Sequence, residues 1–237
     1  AEKYKLKVAL HIEPFYSTPE EFRDQLEYVS SEYGNHTSIY KVDNKPLYYV
    51  YDSYKIDAEE WKRVLSEKGD ITLRNTKADG NFVGLWVKEN EHEFFLSSGF
   101  DGFYTYFASD GFEYGCTSSN WTTLSSFAAK NNMLFIPCVG PGYIDTRIRP
   151  WNVANIKARN KGKYYEKMFT AALESKPNFI GITSFNEWHE GTQIEPAIPK
   201  SIENYSYENY NETGNPWFYI DYTRRMITRS NFGKWSD

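Results

Sequence analysis

The chain has 237 residues and a formal net charge of −5 at pH 7. This length allows one large domain with a sizeable buried core, and the negative charge argues against a nucleic-acid partner, which would require a basic surface. No apolar run is long enough to span a bilayer, and no signal peptide is recognisable. We therefore expect one domain over residues 1–237, no nucleic-acid partner, and membrane contact only through an anchor that precedes this sequence.

Aromatic side chains make up 18% of the chain, with 20 Tyr and 7 Trp. This composition is compatible with an aromatic core. It is equally compatible with sugar recognition, because flat rings with polar tips suit the apolar faces and the hydroxyls of carbohydrates. Composition alone leaves both interpretations open.

The cysteines and the glycosylation motifs bear on the cellular compartment. Cys116 and Cys138 are too few for a disulfide framework, and we expect both to be reduced. Asn-x-Ser/Thr motifs occur at Asn35, Asn120, Asn204 and Asn211. Motifs this short arise by chance, but together they mildly favour a protein of the secretory pathway.

Apolar strand-like segments alternate with amphipathic helical segments along the chain. The predicted strands are residues 6–12, 47–51, 82–87, 102–107, 133–139 and 179–183. The predicted helices are residues 19–33, 58–68, 89–96, 119–130, 161–175 and 217–229. Thr18 and Glu21 predict a capping box before the first helix, and Asp57 and Glu60 predict one before the second. The alternation predicts an α/β fold with a parallel sheet.

Polar residues follow nearly every predicted strand. They are His11 and Glu13, Tyr51 and Asp52, Tyr104 and Tyr106, residues 140–143, and residues 186–190. Polar residues gathered at one end of a parallel sheet favour a barrel whose C-terminal mouth is the active site. A doubly wound sheet is the alternative, but no glycine-rich phosphate loop follows any predicted strand. The strand count is six, whereas a complete barrel of this kind has about eight.

Residues 182–196 (ITSFNEWHEGTQIEP) join a strand end to a cluster of carboxylates, amides and aromatic rings. Glu187 and Glu190 would point to opposite faces of an extended strand, but they would converge in a helical turn. Two converging carboxyl groups suit glycoside hydrolysis, which needs one protonated acid and one ionised carboxylate. A solvated charged loop is the ordinary alternative, and the spacing alone does not decide between them.

Five segments, taken in chain order, carry a resemblance to a known family. They are residues 11–14 (HIEP), 49–54 (YVYDSY), 99–107 (GFDGFYTYF), 139–152 (VGPGYIDTRIRPWN) and 185–195 (FNEWHEGTQIE). They resemble glycoside hydrolase family 99, the endo-α-mannosidases, and occur in the family's order. The resemblance implies a (β/α)8 TIM barrel, of which this chain would hold roughly the last six strand–helix units. It also implies a catalytic domain truncated at its N-terminus, with two open sheet edges.

The resemblance also implies a role for each glutamate. Glu190 matches the general acid/base, which protonates the leaving oxygen and must hold a proton near neutral pH. Glu187 matches a base that deprotonates the 2-hydroxyl of the reacting mannoside. That oxygen then displaces the leaving group and forms a 1,2-anhydro sugar. Water opens this intermediate with Glu190 acting as base, so the anomeric configuration is retained.

We expect the substrate-binding residues to come from the strand ends and the matched segments. They are His11, Glu13, Tyr51, Asp52, Tyr54, Tyr104, Tyr106, Arg149 and Asn186. The resemblance places Glu13 in the substrate site. His11 and Glu13 are too few for a metal site and more often form a hydrogen-bonded pair, so we predict no metal and no cofactor. Tyr104 and Tyr106 would share a strand face, and we expect Tyr106 to touch the sugar.

Other candidates have ordinary alternatives that the sequence leaves open. Tyr51 and Tyr54 would serve equally well as core residues. Either Arg149 or Arg147 would bind a sugar hydroxyl or neutralise a carboxylate, and a surface ion pair is the alternative for each. The Pro-Trp pair that follows Arg149 favours a buried role for that residue.

These expectations describe a retaining, endo-acting glycoside hydrolase that cleaves internal α-1,2-mannosidic linkages. Its substrate would be the glucosylated mannose of N-glycans in the Golgi lumen or secretory pathway, or a mannan in the bacterial periplasm or at the cell surface. The alternative is a catalytically incompetent carbohydrate-binding fragment of the same fold, because an incomplete set of strands does not close a barrel.

Overall fold

A computed structural model describes residues 1–13, 17–202, 205–206, 210 and 213–230. The chain divides into two compact units. Unit 1 comprises residues 1–105 and 126–135, and unit 2 comprises residues 106–125 and 136–237. That all 237 residues form one catalytic domain stays a prediction.

Unit 1 is built on a mostly parallel sheet. Its strands are β1 (Leu10–Ile12), β2 (Lys41–Val42), β3 (Lys45–Val50), β4 (Asn81–Leu85), β5 (Gly102–Tyr104) and β6 (Leu134–Ile136), of which the first two β6 residues belong to this unit. The order is β1-β3-β4-β5-β6, and β2 pairs with β3. The pairs β1/β3, β3/β4 and β4/β5 are parallel, as the alternating pattern predicts, whereas β2 is antiparallel to β3.

Helices connect the strands of this sheet. They are α1 (Pro19–Tyr33), α2 (Ala58–Leu65), α3 (His92–Ser98) and α4 (Trp121–Lys130), of which residues 126–130 belong to unit 1. The capping box before α1 is confirmed: Glu21 N–H donates to Thr18 Oγ1 at 3.2 Å, and Thr18 N–H donates to the Glu21 carboxylate at 3.3 Å. Asp57 is the N-cap of α2 but makes no capping hydrogen bond with its side chain, so the second predicted capping box is wrong.

The core of unit 1 consists largely of aromatic rings. Trp86 stacks on Phe95 with ring centroids 4.9 Å apart, and Phe22 meets Trp61 edge to face at the same distance. All four rings are almost completely buried. Both indole N–H groups donate to backbone carbonyls, at 2.7 Å and 2.6 Å, so burying them leaves no polar atom unpaired. The interpretation of the aromatic content as core is therefore confirmed for this unit.

Unit 2 has two-residue strands and contains the last two helices of the chain. They are β7 (Cys138–Val139), α5 (Lys163–Glu174), β8 (Gly181–Ile182), β9 (Ser201–Ile202), β10 (Tyr205–Ser206) and α6 (Phe218–Ser230). β7 and β8 are parallel, and β9 and β10 are antiparallel. Tyr165 of α5 contacts Tyr219 of α6 with ring centroids 5.7 Å apart, and its hydroxyl lies 2.9 Å from Thr223 Oγ1.

Both cysteines lie in unit 2, where they are buried and not joined by a disulfide. Burial raises the pKa of the Cys116 thiol to about 11. A thiol with this pKa is almost entirely protonated near neutral pH, and the thiolate is the reactive form. Cys116 therefore behaves as a small core residue.

Several predicted strands are longer than the observed ones. The predicted strand 133–139 is divided into β6 and β7 at Pro137, whose nitrogen has no hydrogen to donate to a ladder. The predicted strand 102–107 ends at Tyr104, and Tyr106 has a left-handed backbone with φ of 50°. The prediction that Tyr104 and Tyr106 share one strand face is therefore wrong. Of the predicted strand 179–183, only Gly181–Ile182 pairs as a strand.

The hairpin of β2 and β3 is absent from the sequence prediction. Its two-residue turn consists of Asp43 and Asn44, with φ of 49° and 65°. Two consecutive left-handed residues are typical of the tight hairpin turn that matches strand twist, and Asp and Asn are among the residues that tolerate it. The Asp-Asn pair was the available signal.

Arg74 joins several loops of unit 1 through its guanidinium. It donates to three backbone carbonyls, in the segments that contain residues 65, 80 and 99, at 2.6 to 2.7 Å. It also pairs with Asp101 at 2.9 Å and with Asp79 at 3.3 Å. The Arg74 side chain is only 10% exposed. Burial raises the pKa of Asp101, and Arg74 opposes this rise, so the carboxylate depends on the arginine.

We expect Arg74→Met to destabilise unit 1 by about 3 kcal/mol, because it leaves the partly buried Asp101 carboxylate without its cation and three backbone carbonyls without their donor. Arg23→Met is the control: Arg23 pairs with Glu27 on the exposed surface of α1 at 2.9 Å, and its loss should cost about 0.5 kcal/mol or less. Urea unfolding of both variants measures the difference. Similar losses in the two variants would contradict the assigned role of Arg74.

Candidate active site

Unit 2 holds the two glutamates in one short helical turn. Trp188–Glu190 form a 3-10 helix, and Glu187 is its N-cap. Glu187 is exposed, whereas the side chain of Glu190 is 19% exposed. Of the two local structures that the spacing leaves open, the chain has a helical turn and not an extended strand, and the charge of Glu187 opposes ionisation of Glu190.

Two hydroxyl groups fix the backbone of Glu187. Ser184 Oγ accepts a hydrogen bond from Glu187 N–H at 2.8 Å and lies 2.8 Å from Thr192 Oγ1. Thr192 is fully buried, and its hydroxyl donates to the Glu187 carbonyl at 3.4 Å. The backbone on both sides of the Glu187 side chain is therefore held, so the carboxylate projects from a fixed point.

Arg159 anchors the backbone that follows the turn. Its guanidinium is buried and donates to the carbonyls of Gly191 and Gln193 at 2.9 Å and 2.8 Å. The rings of Tyr210 and Tyr219 each lie 4.8 Å from the guanidinium carbon, a favourable cation–π distance. Gly191 has φ of 63°, and a Cβ there would lie 2.5 Å from a neighbouring side chain, so only glycine fits.

One arginine connects Glu190 to a buried acid. Arg149 Nη1 donates to Glu190 Oε1 at 3.2 Å and to Asp145 Oδ2 at 3.1 Å. The Asp145 side chain is 0% exposed. It also accepts hydrogen bonds from Tyr143 Oη at 2.8 Å and from Asn152 Nδ2 at 3.0 Å. Arg149 therefore contacts two carboxylates, as expected of a residue that neutralises one. Its side chain is 43% exposed, so the buried role that the neighbouring Pro-Trp pair favours is wrong.

The pKa values of the two acids that share Arg149 are shifted in opposite directions. Burial raises the pKa of Glu190, and the charge and hydrogen bond of Arg149 oppose this rise without cancelling it. Burial also opposes ionisation of Asp145, but hydrogen bonds from Asn152, Tyr143 and Arg149 outweigh it and lower the pKa of that carboxyl. The site thus combines an acid that tends to keep its proton with one that readily loses it.

Unit 1 holds a separate polar group at the end of β1. His11 Nδ1 lies 3.0 Å from Glu13 Oε1, and His11 Nε2 lies 2.8 Å from Tyr104 Oη. A carboxylate only accepts, so Nδ1 carries the hydrogen and Nε2 accepts from the tyrosine. Burial lowers the pKa of His11, and Glu13 only partly opposes this, which favours a neutral ring. The Tyr51 ring lies 5.4 Å from His11.

Asp52 and Tyr54, two other predicted strand-end residues of unit 1, are joined by a hydrogen bond. Tyr54 Oη donates to Asp52 Oδ1 at 2.9 Å, and Lys55 Nζ pairs with Asp52 Oδ2 at 2.5 Å. Asp52 has φ of 52° and begins a short 3-10 helix. Tyr54 is 41% exposed, so the alternative of core packing does not apply to it.

The remaining predicted residues lie in unit 2. Tyr106 is half-buried, and its carbonyl accepts a hydrogen bond from Thr183 Oγ1. Asn186 is exposed beside Glu187. Arg147 is exposed, whereas Arg149 reaches the two acids, so the structure favours Arg149 over Arg147 for neutralising a carboxylate.

Sequence reasoning misses Asp145 and the hydroxyl pair Ser184–Thr192. The spacing of four residues between Asp145 and Arg149 was a usable signal, because opposite charges at this spacing often meet. The hydroxyl pair offered no comparable signal: its partners lie eight positions apart on two sides of a turn.

The described residues contain no group of three or more His, Cys, Asp or Glu side chains that could hold a metal ion. His11 and Glu13 form a hydrogen-bonded pair. The absence of a cofactor stays a prediction.

The stability of unit 2 should depend on the protonation of Glu190. Because the folded state raises the pKa of Glu190, ionisation costs more in the folded chain, and stability falls as pH rises from the unfolded value through the folded one. We therefore expect Glu190→Gln to become more stable relative to the native chain as the pH rises through this range. The difference in stability between the two proteins should be smallest below the unfolded-state pKa. Thermal melting at a series of pH values measures this.

Glu174→Gln is the matched control, because Glu174 is exposed near the end of α5. It should show a smaller change with pH. A difference between Glu190→Gln and the native chain that is constant with pH would contradict the assigned environment of Glu190.

Comparison with known proteins identifies close relatives. The family model described as "Glycosyl hydrolase family 99" matches residues 1–231. The chain is 47% identical over 231 residues to a rat protein named glycoprotein endo-alpha-1,2-mannosidase, covering 95% of this chain and 50% of the rat protein. It is 46% identical to a human glycoprotein endo-alpha-1,2-mannosidase-like protein, with the same coverage of both chains. The chain thus spans about half the length of the curated relatives it matches.

A solved structure agrees with these sequence matches. The GH99 endo-alpha-mannosidase from Bacteroides thetaiotaomicron superposes with a TM-score of 0.93 at 44% identity, covering 97% of this chain and 67% of that one. The match confirms the α/β TIM-barrel fold class that the sequence predicts, and the chain covers part of the solved fold. The chain belongs to glycosyl hydrolase family 99.

Proposed function

We propose that this chain carries the catalytic glutamates of a retaining, endo-acting glycoside hydrolase that cleaves internal α-1,2-mannosidic linkages. The observation that carries the proposal is the turn of Glu187 and Glu190, in which burial raises the pKa of one acid while the other is exposed. A buried acid with a raised pKa beside an exposed second carboxyl group suits protonation of a leaving group together with deprotonation of a hydroxyl.

In the first step, Glu187 accepts the proton of the 2-hydroxyl of the reacting mannoside. The resulting oxygen attacks the anomeric carbon, the glycosidic bond breaks, and Glu190 gives its proton to the leaving oxygen. A 1,2-anhydro sugar remains. The Ser184 and Thr192 hydroxyls support this step because they hold the backbone from which Glu187 projects.

In the second step, water opens the anhydro sugar. Glu190, now ionised, takes a proton from the water as it attacks the anomeric carbon, and Glu187 returns a proton to the 2-oxygen. Two successive inversions give net retention. Arg149 stabilises Glu190 as an anion between the two steps, because its guanidinium already touches that carboxyl.

We assign substrate binding to the predicted residues according to their exposure. Glu13 is well exposed, and one of its oxygens is free of His11, so it is suited to a sugar hydroxyl. Tyr104 is 1% exposed, so it acts by orienting His11 through its hydroxyl. The remaining proposed contacts come from Tyr51, Asp52, Tyr54, Tyr106, Arg149 and Asn186.

The substrate is an oligosaccharide, as membership of a glycoside hydrolase family implies. We propose N-glycans with glucosylated mannose as the specific substrate, and the Golgi lumen or secretory pathway as the location. The names of the rat and human relatives, which contain "glycoprotein", support this choice. A mannan substrate at a bacterial surface is the second candidate, supported by the Bacteroides relative.

No helix in the described part of the chain has the length and apolar character needed to cross a membrane. Of the glycosylation motifs, Asn35 is exposed, whereas Asn120 Nδ2 donates to the Tyr114 carbonyl at 3.0 Å. Asn204 and Asn211 lie outside the described residues.

A catalytically incompetent carbohydrate-binding fragment is the less favoured alternative. Both glutamates are present, and the hydrogen bonds that hold their turn are intact. Incubation with a glucosylated high-mannose oligosaccharide distinguishes the two functions. Release of an oligosaccharide longer than one sugar, with α configuration in the first product seen by NMR, is expected. Release of single mannose units, or of a β product, would refute the proposal.

We expect Glu190→Gln to lower the cleavage rate by about 10²–10⁴-fold for substrates with poor leaving groups. A substrate with an activated leaving group needs no proton, so its cleavage step should suffer much less. Single-turnover measurements separate this step from the later opening by water. Glu174→Gln should leave both rates unchanged, and equal losses for both substrates in Glu190→Gln would refute the acid role.

We expect Glu187→Gln to lose about 10²–10⁴-fold in rate whatever the leaving group, because the 2-hydroxyl must be deprotonated in every case. Binding should largely survive, since the amide keeps the shape of the carboxylate. Comparison of kcat with the Kd of a non-hydrolysable ligand tests this. A sugar trapped covalently on Glu187 would overturn the assignment.

A further inference from the structure

We propose that Asp145 is a positioning residue whose buried negative charge balances Arg149, so that this arginine can hold Glu190 without removing its proton. The inference rests on the proposed function for its catalytic meaning. Asp145 itself is 0% exposed and therefore cannot touch a substrate, so it acts only through its neighbours.

The geometry assigns one cation to two acids. The same nitrogen, Arg149 Nη1, lies 3.1 Å from Asp145 and 3.2 Å from Glu190. Asp145 is secured by Tyr143 and by Asn152, which donate hydrogen bonds to its carboxylate. A buried carboxylate with several donors and an adjacent guanidinium stays ionised.

The charge balance follows from these contacts. With Asp145 ionised, Arg149 is already neutralised, and the group carries no net charge when Glu190 is protonated. If Asp145 were neutral, Arg149 would be an unbalanced cation in contact with Glu190 and would favour the carboxylate, by an amount that its 43% exposure to water reduces. An arginine alone would thus oppose the acid role that it is positioned to support.

The other groups near Glu190 do not replace Asp145. The titratable groups with the largest influence on Glu190 include Arg149, Glu187 and Asp145, and Tyr143 also interacts with it. Burial raises the pKa of Tyr143 far above neutrality, so its hydroxyl stays uncharged. Glu187 opposes ionisation of Glu190 more than Asp145 does, but it is exposed, whereas Asp145 shares Arg149 Nη1 with Glu190 and so neutralises the cation that touches Glu190.

The test is Asp145→Asn, which keeps the volume of the side chain and removes its charge. We expect the basic limb of the profile of kcat/KM against pH to move to lower pH for a substrate with a poor leaving group. On the basic side of the native limb, each unit of this shift appears as a further tenfold loss of activity. For a substrate with an activated leaving group the limb should not move in the cleavage step.

Asn152→Ala is the matched control. It removes a hydrogen-bond donor from Asp145 but leaves every charge in place. It should therefore lower the plateau of kcat/KM without moving the basic limb of the pH profile. Loss of activity in Asp145→Asn with an unmoved limb would show a merely structural role and overturn the proposal. If Asp145→Asn does not fold, the same measurement is made on Asp145→Ser, which leaves room for water at the position of the carboxylate.

A direct titration separates this proposal from the proposed function. In protein labelled with ¹³C at glutamate carboxyls, the Glu190 signal is identified by its loss in Glu190→Gln. Its midpoint should fall in Asp145→Asn and stay in place in Asn152→Ala. A lower midpoint in a protein that hydrolyses no mannoside would support the charge balance while refuting the function. An unchanged midpoint would refute the charge balance whatever the activity.

Discussion

The organisation of the unit 2 site depends on one guanidinium that serves two carboxyl groups. Arg149 lies between Asp145, which is buried and ionised, and Glu190, which burial inclines to stay protonated. The Arg149 side chain is 43% exposed, and ion pairs that are open to water contribute little net stability, so this arrangement is poorly explained as a device for holding the fold together. It is better explained by what it does for Glu190, which gains a fixed orientation from Arg149 without facing an uncompensated positive charge.

Fixed orientation also requires a rigid backbone, and the turn of Glu187 and Glu190 obtains it from residues outside the turn. Ser184 and Thr192 hold its first residue, and Arg159 holds the backbone that follows it. Of the residues that make these contacts, Thr192 and Arg159 are buried and Ser184 is half-buried, whereas Glu187 itself is exposed. Different parts of the site therefore provide rigidity and access to solvent. Polar groups outside the turn hold the backbone, and the short 3-10 helix presents its side chains to solvent.

The sequence predicts those features that depend on local patterns. The alternation of apolar runs and helices predicts the parallel sheet, and the Thr18–Glu21 spacing predicts a cap that the structure contains. Strand ends are predicted less well, because Pro137 divides one apolar run and a left-handed residue follows another. The spacing of the glutamates raises the possibility of convergence, but only the contacts of the turn decide it, and the buried charge of Asp145 arises from partners that the fold supplies.

The titratable groups at the strand ends of the two units differ in charge. In unit 1, His11 is inclined to be neutral, because burial opposes its charge and Glu13 does not fully compensate. A neutral ring between Glu13 and Tyr104 can relay orientation along a chain of hydrogen bonds but offers no charge to a sugar. In unit 2, Asp145 and Arg149 are both charged, and the balance between them leaves Glu190 free to hold or release a proton. Polar residues that look alike at strand ends therefore differ in kind: one set is suited to recognising hydroxyls, and the other is suited to moving a proton.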